Sequence, residues 1–332
     1  MIKRFLAIFI TILLFYSCLS DKPDISTIAV DNKIIRMDKL LFEKNVETTS
    51  DWLPNLVAKY PDFMDIYSNN VIKTGATNKK EFQEKMKYFI VYTTTYELDK
   101  AIEKEFTDFD KIENKVNTSL KYFKYYFPSK KIPEIYTFIS GFNQSVIIGK
   151  NFVGIGLDKY LGQKNYFYED IKMPMYLRFK TNKEFIPIDI EKAIAYYNFY
   201  YPDTSLNLLN KIIYEGKIQY FIDKMFPDAD DTLKIAYTSK QMNWCKQNEE
   251  NVWTWFVANN KLMMNDFIKI KRYCDEAPFT SDFSKESPGR IGVWIGWQII
   301  RSYMKNHPNV SLAELMADND FQKIMNLSKY NP

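Results

Sequence analysis

The stretch Ser287-Pro288-Gly289-Arg290-Ile291-Gly292-Val293-Trp294-Ile295-Gly296-Trp297-Gln298 constrains the fold more than any other part of this chain. Pro288-Gly289 reads as a turn, and residues 291–304 read as a helix entered from it. A glycine inside a helix costs about 1 kcal/mol relative to alanine. Gly292 and Gly296 are four residues apart and share one face. That face is expected to pack backbone-close against an aromatic neighbour. Arg290 brings a positive charge to a helix start, where the macrodipole opposes it. It should therefore have a specific carboxylate partner or hold an anion, a structural ion pair being the plainer of the two. Tyr214-Glu215-Gly216-Lys217 poses the same question in a second apolar helix. Gly216 signals close packing or a functional need. Glu215 beside it is either a buried acid or a surface residue next to a packing glycine.

The rest of the pattern is mainly helical. Apolar residues recur at helical spacing over residues 50–61, 79–96, 102–127, 188–200, 206–226 and 237–260, and a short last helix opens at Ser311. Thr238-Ser239-Lys240-Gln241 has capping-box spacing at the head of one of these. Strand signals are fewer. Residues 31–42 suggest a strand running into a short helix, 134–139 a strand, and 145–148 with 151–157 a hairpin around Gly149-Lys150. Gly154-Ile155-Gly156 lies inside the last strand and lacks the third glycine of a dinucleotide loop, so close packing is the expected reason for it. With 46% hydrophobic and 17% aromatic residues and no repeat or linker, residues 33–332 are expected to form a single domain. Its class is α+β, predominantly helical with a small antiparallel sheet.

The N-terminus points to export. Lys3 and Arg4 precede an apolar run over residues 5–16, interrupted only by Thr11. That run is shorter than the roughly 20 residues a spanning helix needs. Leu14-Phe15-Tyr16-Ser17-Cys18 resembles a bacterial lipobox. Residues 1–17 then form a lipoprotein signal peptide, and residues 18–32 a lipidated cysteine with a polar tether containing Pro23. Lipid on Cys18 contributes about 0.8 kcal/mol per buried CH₂, so several acyl chains hold a protein firmly. The expected location is the cell envelope, anchored to a membrane and facing the periplasm.

Much chemistry is disfavoured. His307 is the single histidine, and it precedes Pro308 at a helix end. Zinc hydrolases and nucleophile–histidine triads need more than that. Cys245 falls on an apolar helical stripe, so Cys245 and Cys274 read as buried free thiols, although an oxidising envelope would permit a disulfide. Asp228-Ala229-Asp230-Asp231 fails as a calcium loop, because Leu233 and Ser239 stand where glycine and glutamate are required. Acids at a helix start explain it. The formal charge of +4 and the lack of a basic aromatic stripe argue against nucleic acid as a partner. No catalytic residue, metal ligand or cofactor site is expected.

Several segments in order resemble the GldB family of gliding-motility lipoproteins of Bacteroidetes. They are the start at Cys18, Gly154-Ile155-Gly156-Leu157-Asp158-Lys159-Tyr160-Leu161-Gly162, Ile213-Tyr214-Glu215-Gly216-Lys217, Asn243-Trp244-Cys245, and Glu286-Ser287-Pro288-Gly289-Arg290 through Trp297-Gln298-Ile299-Ile300-Arg301-Ser302-Tyr303. The resemblance runs to Ser328-Lys329-Tyr330. It implies a non-catalytic envelope component of the gliding machinery, linked to type IX secretion and working with other proteins of that apparatus. A fainter likeness is to gluzincin-type zinc peptidases, in which a Glu-Gly on a helix supplies the third metal ligand. Glu215 would match it, yet residues 188–200 contain no histidine. That likeness implies a degenerate peptidase scaffold, whose remnant cleft, lined by Glu215 and Arg290, could hold a peptide or glycan.

Overall fold

The computed structural model describes residues 22–201 and 207–332. Four short strands form one sheet: β1 (Ile35–Arg36), β2 (Glu134–Phe138), β3 (Val146–Ile148) and β4 (Phe152–Gly156), in the order β1-β2-β4-β3. The sheet is mixed rather than antiparallel. β1 and β4 both run parallel to β2, with Tyr136 opposite Gly154, and only the β3–β4 hairpin is antiparallel. The reason lies in the loop after β2, which carries β3 past the place where β4 returns. Buried Asp158 fixes that loop, accepting the Ser140 N–H at 2.9 Å, the Ser140 hydroxyl at 2.8 Å and the Phe142 N–H. Gly154 and Gly156 are tight for the expected reason. A Cβ on Gly154 would come within 2.8 Å of the Ile147 side chain, and one on Gly156 within 2.3 Å of the Gln144 carbonyl.

Alternation along β2 sends side chains to two different cores. Tyr136 and Phe138 join Met37, Leu41, Phe63 and Tyr67 on one face. Ile135 joins the larger core on the other, with Val153 and Ile155 of β4. The smaller core lies under α1 (Met37–Phe42), α2 (Thr49–Lys59), α3 (Pro61–Ile66) and α4 (Phe82–Thr95). The single helix expected over 102–127 is two, α5 (Leu98–Glu105) and α6 (Asp110–Tyr126). At the break Phe106 and Phe109 both turn into the core and meet edge-on at 6.3 Å, while the Thr107 hydroxyl donates back to the Lys104 carbonyl.

Two one-turn helices, α7 (Phe167–Asp170) and α8 (Met175–Arg178), lead to the helical half of the molecule. It comprises α9 (Ile186–Asn198), α10 (Leu208–Met225), α11 (Asp231–Ile235), α12 (Ser239–Ala258), α13 (Phe267–Cys274), α14 (Ile291–Asn306), α15 (Leu312–Ala317) and α16 (Phe321–Ser328). The capping box at Thr238 and Gln241 is formed. Cys245 and Cys274 are buried free thiols. The tether segment is partly on the domain: Ile25 and Val30 pack against the main core, and Lys22 pairs with Asp228. Cys18 and the signal-peptide residues lie outside the described residues.

At the centre α10 and α14 cross at their glycines. A Cβ on Gly216 would stand 2.2 Å from the Gly296 carbonyl oxygen, and one on Gly296 1.7 Å from that of Ile212. The neighbour of Gly296 is therefore bare backbone rather than an aromatic ring, while Gly292 abuts both Ile212 and Tyr273. Gly296→Ala should lower unfolding stability by about 3 kcal/mol or more in urea titration, because no side-chain rotation relieves a clash with backbone. A loss under about 1 kcal/mol would contradict this packing.

Glu191 of α9 is fully buried, and neither carboxylate oxygen has a donor; the nearby Ser119 hydroxyl is spent on the Val116 carbonyl. Burial pushes its carboxyl up to about 8. The folded value lies above the ordinary 4.5, so its share of stability is complete below that ordinary value and is lost as pH rises through about 8. Glu191→Gln should therefore be more stable than the parent near pH 8, with the gap closing toward pH 4.5, as read from urea midpoints across pH. A gap independent of pH would refute the buried neutral acid.

Candidate functional site

Glu215 and Arg290, chosen from sequence, line the same cleft, a cavity of about 570 Å³. Five segments build it. α9 is buried along Ile186, Ile190 and Ile194, which leaves Asp189, Lys192 and Tyr196 to face the cleft at helical spacing. α10 contributes Glu215, Ile218 and Gln219 in the same way. The chain leaving α13 supplies Cys274, Asp275 and Glu276, and the turn into α14 supplies Arg290 and Val293. Lys180 closes one side. The crossing of α10 on α14 at Gly216 and Gly296 brings Glu215 and Arg290 to this common space.

Arg290 has the carboxylate partner its sequence position called for. Its side chain is 11% exposed, and its Nε lies 2.7 Å from Glu276 Oε1, an ion pair in which the N–H is not aimed along a hydrogen bond. Its backbone is left-handed, with φ of +58°, at the N-cap of α14. That turn aims the guanidinium at the Ile235 carbonyl, one of the unpaired acceptors at the C-terminal end of α11. The guanidinium also sits 5.4 Å from the Tyr237 ring centre. Lys180 reaches the same Glu276 oxygen. Burial alone would raise the Glu276 carboxyl; Arg290 and Lys180 more than offset it and hold the group below its ordinary range.

Glu215 is also paired within the chain. Its Oε1 accepts from Lys211 Nζ at 2.6 Å, and its Oε2 accepts from the Tyr196 hydroxyl at 2.7 Å. Burial and the Glu215 charge push the Tyr196 phenol well above its ordinary value. Asp189 accepts from the Tyr160 hydroxyl at 2.8 Å. Burial pushes the Cys274 thiol up, so it is no nucleophile near neutral pH. The donor set does not suit zinc. The helix face that would carry imidazoles presents Asp189, Lys192 and Tyr196, and both oxygens of Glu215 are taken. Among the described residues no group of three or more His, Cys, Asp or Glu is placed to hold a metal ion.

Sequence reasoning missed Lys180, Lys192, Gln219 and Glu276. The 3–4 spacing of Asp189, Lys192 and Tyr196 on an otherwise buried helix was the signal that could have found Lys192. Nothing local marks Lys180 or Glu276, which distant segments bring together. Burial and the nearby Arg290 guanidinium lower the Lys180 amine to about 7, and burial lowers Lys192 to about 8. Competitive acetylation followed by mass spectrometry across pH should show both amines becoming reactive well below the ordinary 10.5 of surface lysines. Arg290→Met should shift the Lys180 midpoint upward, by removing a like charge and freeing Glu276. Midpoints indistinguishable from surface lysines would contradict the burial of these groups.

The comparisons with known proteins give one match. The family model described as gliding motility protein GldB matches residues 19–332, the whole of the described fold. No curated protein and no solved structure matches the chain. The matched span includes the glycine crossing, the Arg290 turn and every segment that lines the cleft. The chain therefore belongs to the GldB family of gliding motility proteins.

Proposed function

We propose that this protein is a non-catalytic, membrane-anchored lipoprotein of the gliding motility machinery, functionally linked to type IX secretion. The family match over residues 19–332 carries the reading. The cleft is in keeping with it. Glu215 and Glu276 are each held by two donors of the same chain, which leaves neither placed as a general base, and the cleft thiol is buried and protonated. Among the described residues no helix is long and apolar enough to cross a membrane. On this reading attachment falls to lipid on Cys18, the domain faces the periplasm, and its partners are other gliding and type IX secretion proteins.

A second reading is a peptide- or glycan-binding envelope module on a degenerate peptidase scaffold. It is favoured by Gln219, a buried cleft residue whose amide nitrogen has no partner.

Deleting the gene in a gliding host and tracking single cells tests the first reading. Movement should stop, return on re-expression of the intact chain, and fail to return with Cys18→Ala. Secretion of type IX cargo should fall in the same strain. Normal movement and normal secretion after deletion would overturn the apparatus role.

A further inference from the structure

The cleft's hydrogen-bonding capacity is unevenly used. Its acids on the two helices are satisfied from within: Glu215 by Lys211 and Tyr196, and Asp189 by Tyr160. Glu276 is shared by Lys180 and Arg290. Among the buried side-chain atoms of the lining, those left without a partner are donors. Gln219 is 2% exposed, and its amide nitrogen meets no acceptor. The Arg290 N–H at Nε is buried and has no acceptor in line. Lys192 lines the same cavity and makes no hydrogen bond or ion pair among the described residues, although the charges of Asp189, Glu276 and Glu215 favour its ammonium. Unused donors around one space call for a ligand group that only accepts. A carboxylate does this, and its two oxygens match donors arriving from different sides.

We propose that the cleft binds the free C-terminal carboxylate of a short peptide, with Lys192 as its charge partner and Gln219 and Arg290 as hydrogen-bond donors. This rests on the cleft-binding reading and not on the gliding role, which stands or falls by the deletion strain. Four considerations favour this ligand. A cavity of about 570 Å³ is within the ~300–1,000 Å³ of small-ligand sites. Ile218 and Val293 line it beside the donors and offer apolar surface to a terminal side chain. The lining acids would repel a polyanion. The lowered affinity of Lys192 for its proton follows from burial, which outweighs the favourable charges of Asp189, Glu276 and Glu215. The Arg290 guanidinium acts on Lys192 in the same direction as burial.

The test uses the full chain in detergent and a set of acetyl-Ala-Ala-Xaa peptides in which Xaa runs through the standard amino acids. Each is compared with its C-terminal amide by titration calorimetry. Inorganic phosphate and a uronic-acid oligosaccharide serve as alternative anions. Saturable binding of one or more free-acid peptides is expected, at least about tenfold weaker for the amides. Lys192→Met should lose about tenfold or more while Lys192→Arg keeps most of the affinity, both with parental circular dichroism. Affinity of the parent should fall from about pH 6 to about pH 9 as Lys180 and Lys192 deprotonate, and Lys192→Arg should remove the upper part of that fall, around pH 8. Binding that ignores the amide substitution, or is unchanged in Lys192→Met, would overturn the proposal. So would phosphate or the uronic acid outcompeting every peptide, or no saturable binding across the set.

Discussion

The backbone contact between α10 and α14 is the constraint from which the rest of the helical half follows. Helices with side chains between them pack about 8–10 Å apart. Here Gly216 and Gly296 bring carbonyl and Cα within reach of one another, and any Cβ at either position would overlap main chain. A contact of that kind fixes both the rotation and the register of the two helices. It points Glu215, one residue before Gly216, and Arg290, at the cap of α14, toward the same space. The other residues beside the crossing serve it as well. Lys217 is 1% exposed and spans to the Asp318 carbonyl at 2.7 Å, so it ties the segment before α16 to α10.

A half-buried polar network on α10 and α14 holds the third partner. Arg301 of α14 makes paired hydrogen bonds to Asp223 of α10 and to Asp231 of α11, all at 2.8–2.9 Å. Trp297 Nε1 donates to the same Asp223, and Lys234 completes its shell at 3.0 Å. Each charged group in this cluster has an opposite partner, which is the condition under which burying charge is tolerated. The network docks α11 and so presents the Ile235 carbonyl at its end to Arg290. The left-handed turn at Arg290 is strain with a visible return, since it is what aims the guanidinium at that carbonyl and at Glu276.

How much of this was legible in the sequence follows from how local each cause is. The helices over 186–198, 208–225, 239–258 and 291–306 were readable because their apolar spacing and caps lie within the segment. The two glycine sites were readable as close contacts, because an interior helix glycine demands a reason. That they touch each other was not, since two positions 80 residues apart in sequence (216 and 296) carry no mutual signal. The same limit hid the parallel pairing of β2 with β4. Alternation identifies a strand but not its neighbour, and the loop anchored on Asp158 decides that. Among the site residues, Arg290 announced a carboxylate partner by its place at a helix start, but Glu276 sits in an irregular segment with no periodicity to mark it.

Glu215 shows why a motif must be weighed with its surroundings. Next to a glycine on a helix it has the setting of a metal ligand, yet its chemistry is set by what stands opposite. A carboxylate facing imidazoles around zinc keeps an oxygen for the metal. Here the facing helix offers the Tyr196 hydroxyl, and the preceding turn of its own helix offers Lys211, so the charge is neutralised inside the chain. The consequence reaches across the cleft. With Glu215 and Glu276 both satisfied, the lysine at 192 has no ion pair of its own and the amide nitrogen of Gln219 no acceptor. Internal pairing of the acids thus leaves Gln219 Nε2 and Arg290 Nε as the cleft's buried atoms without a partner, both donors, and a site of that kind suits an anion.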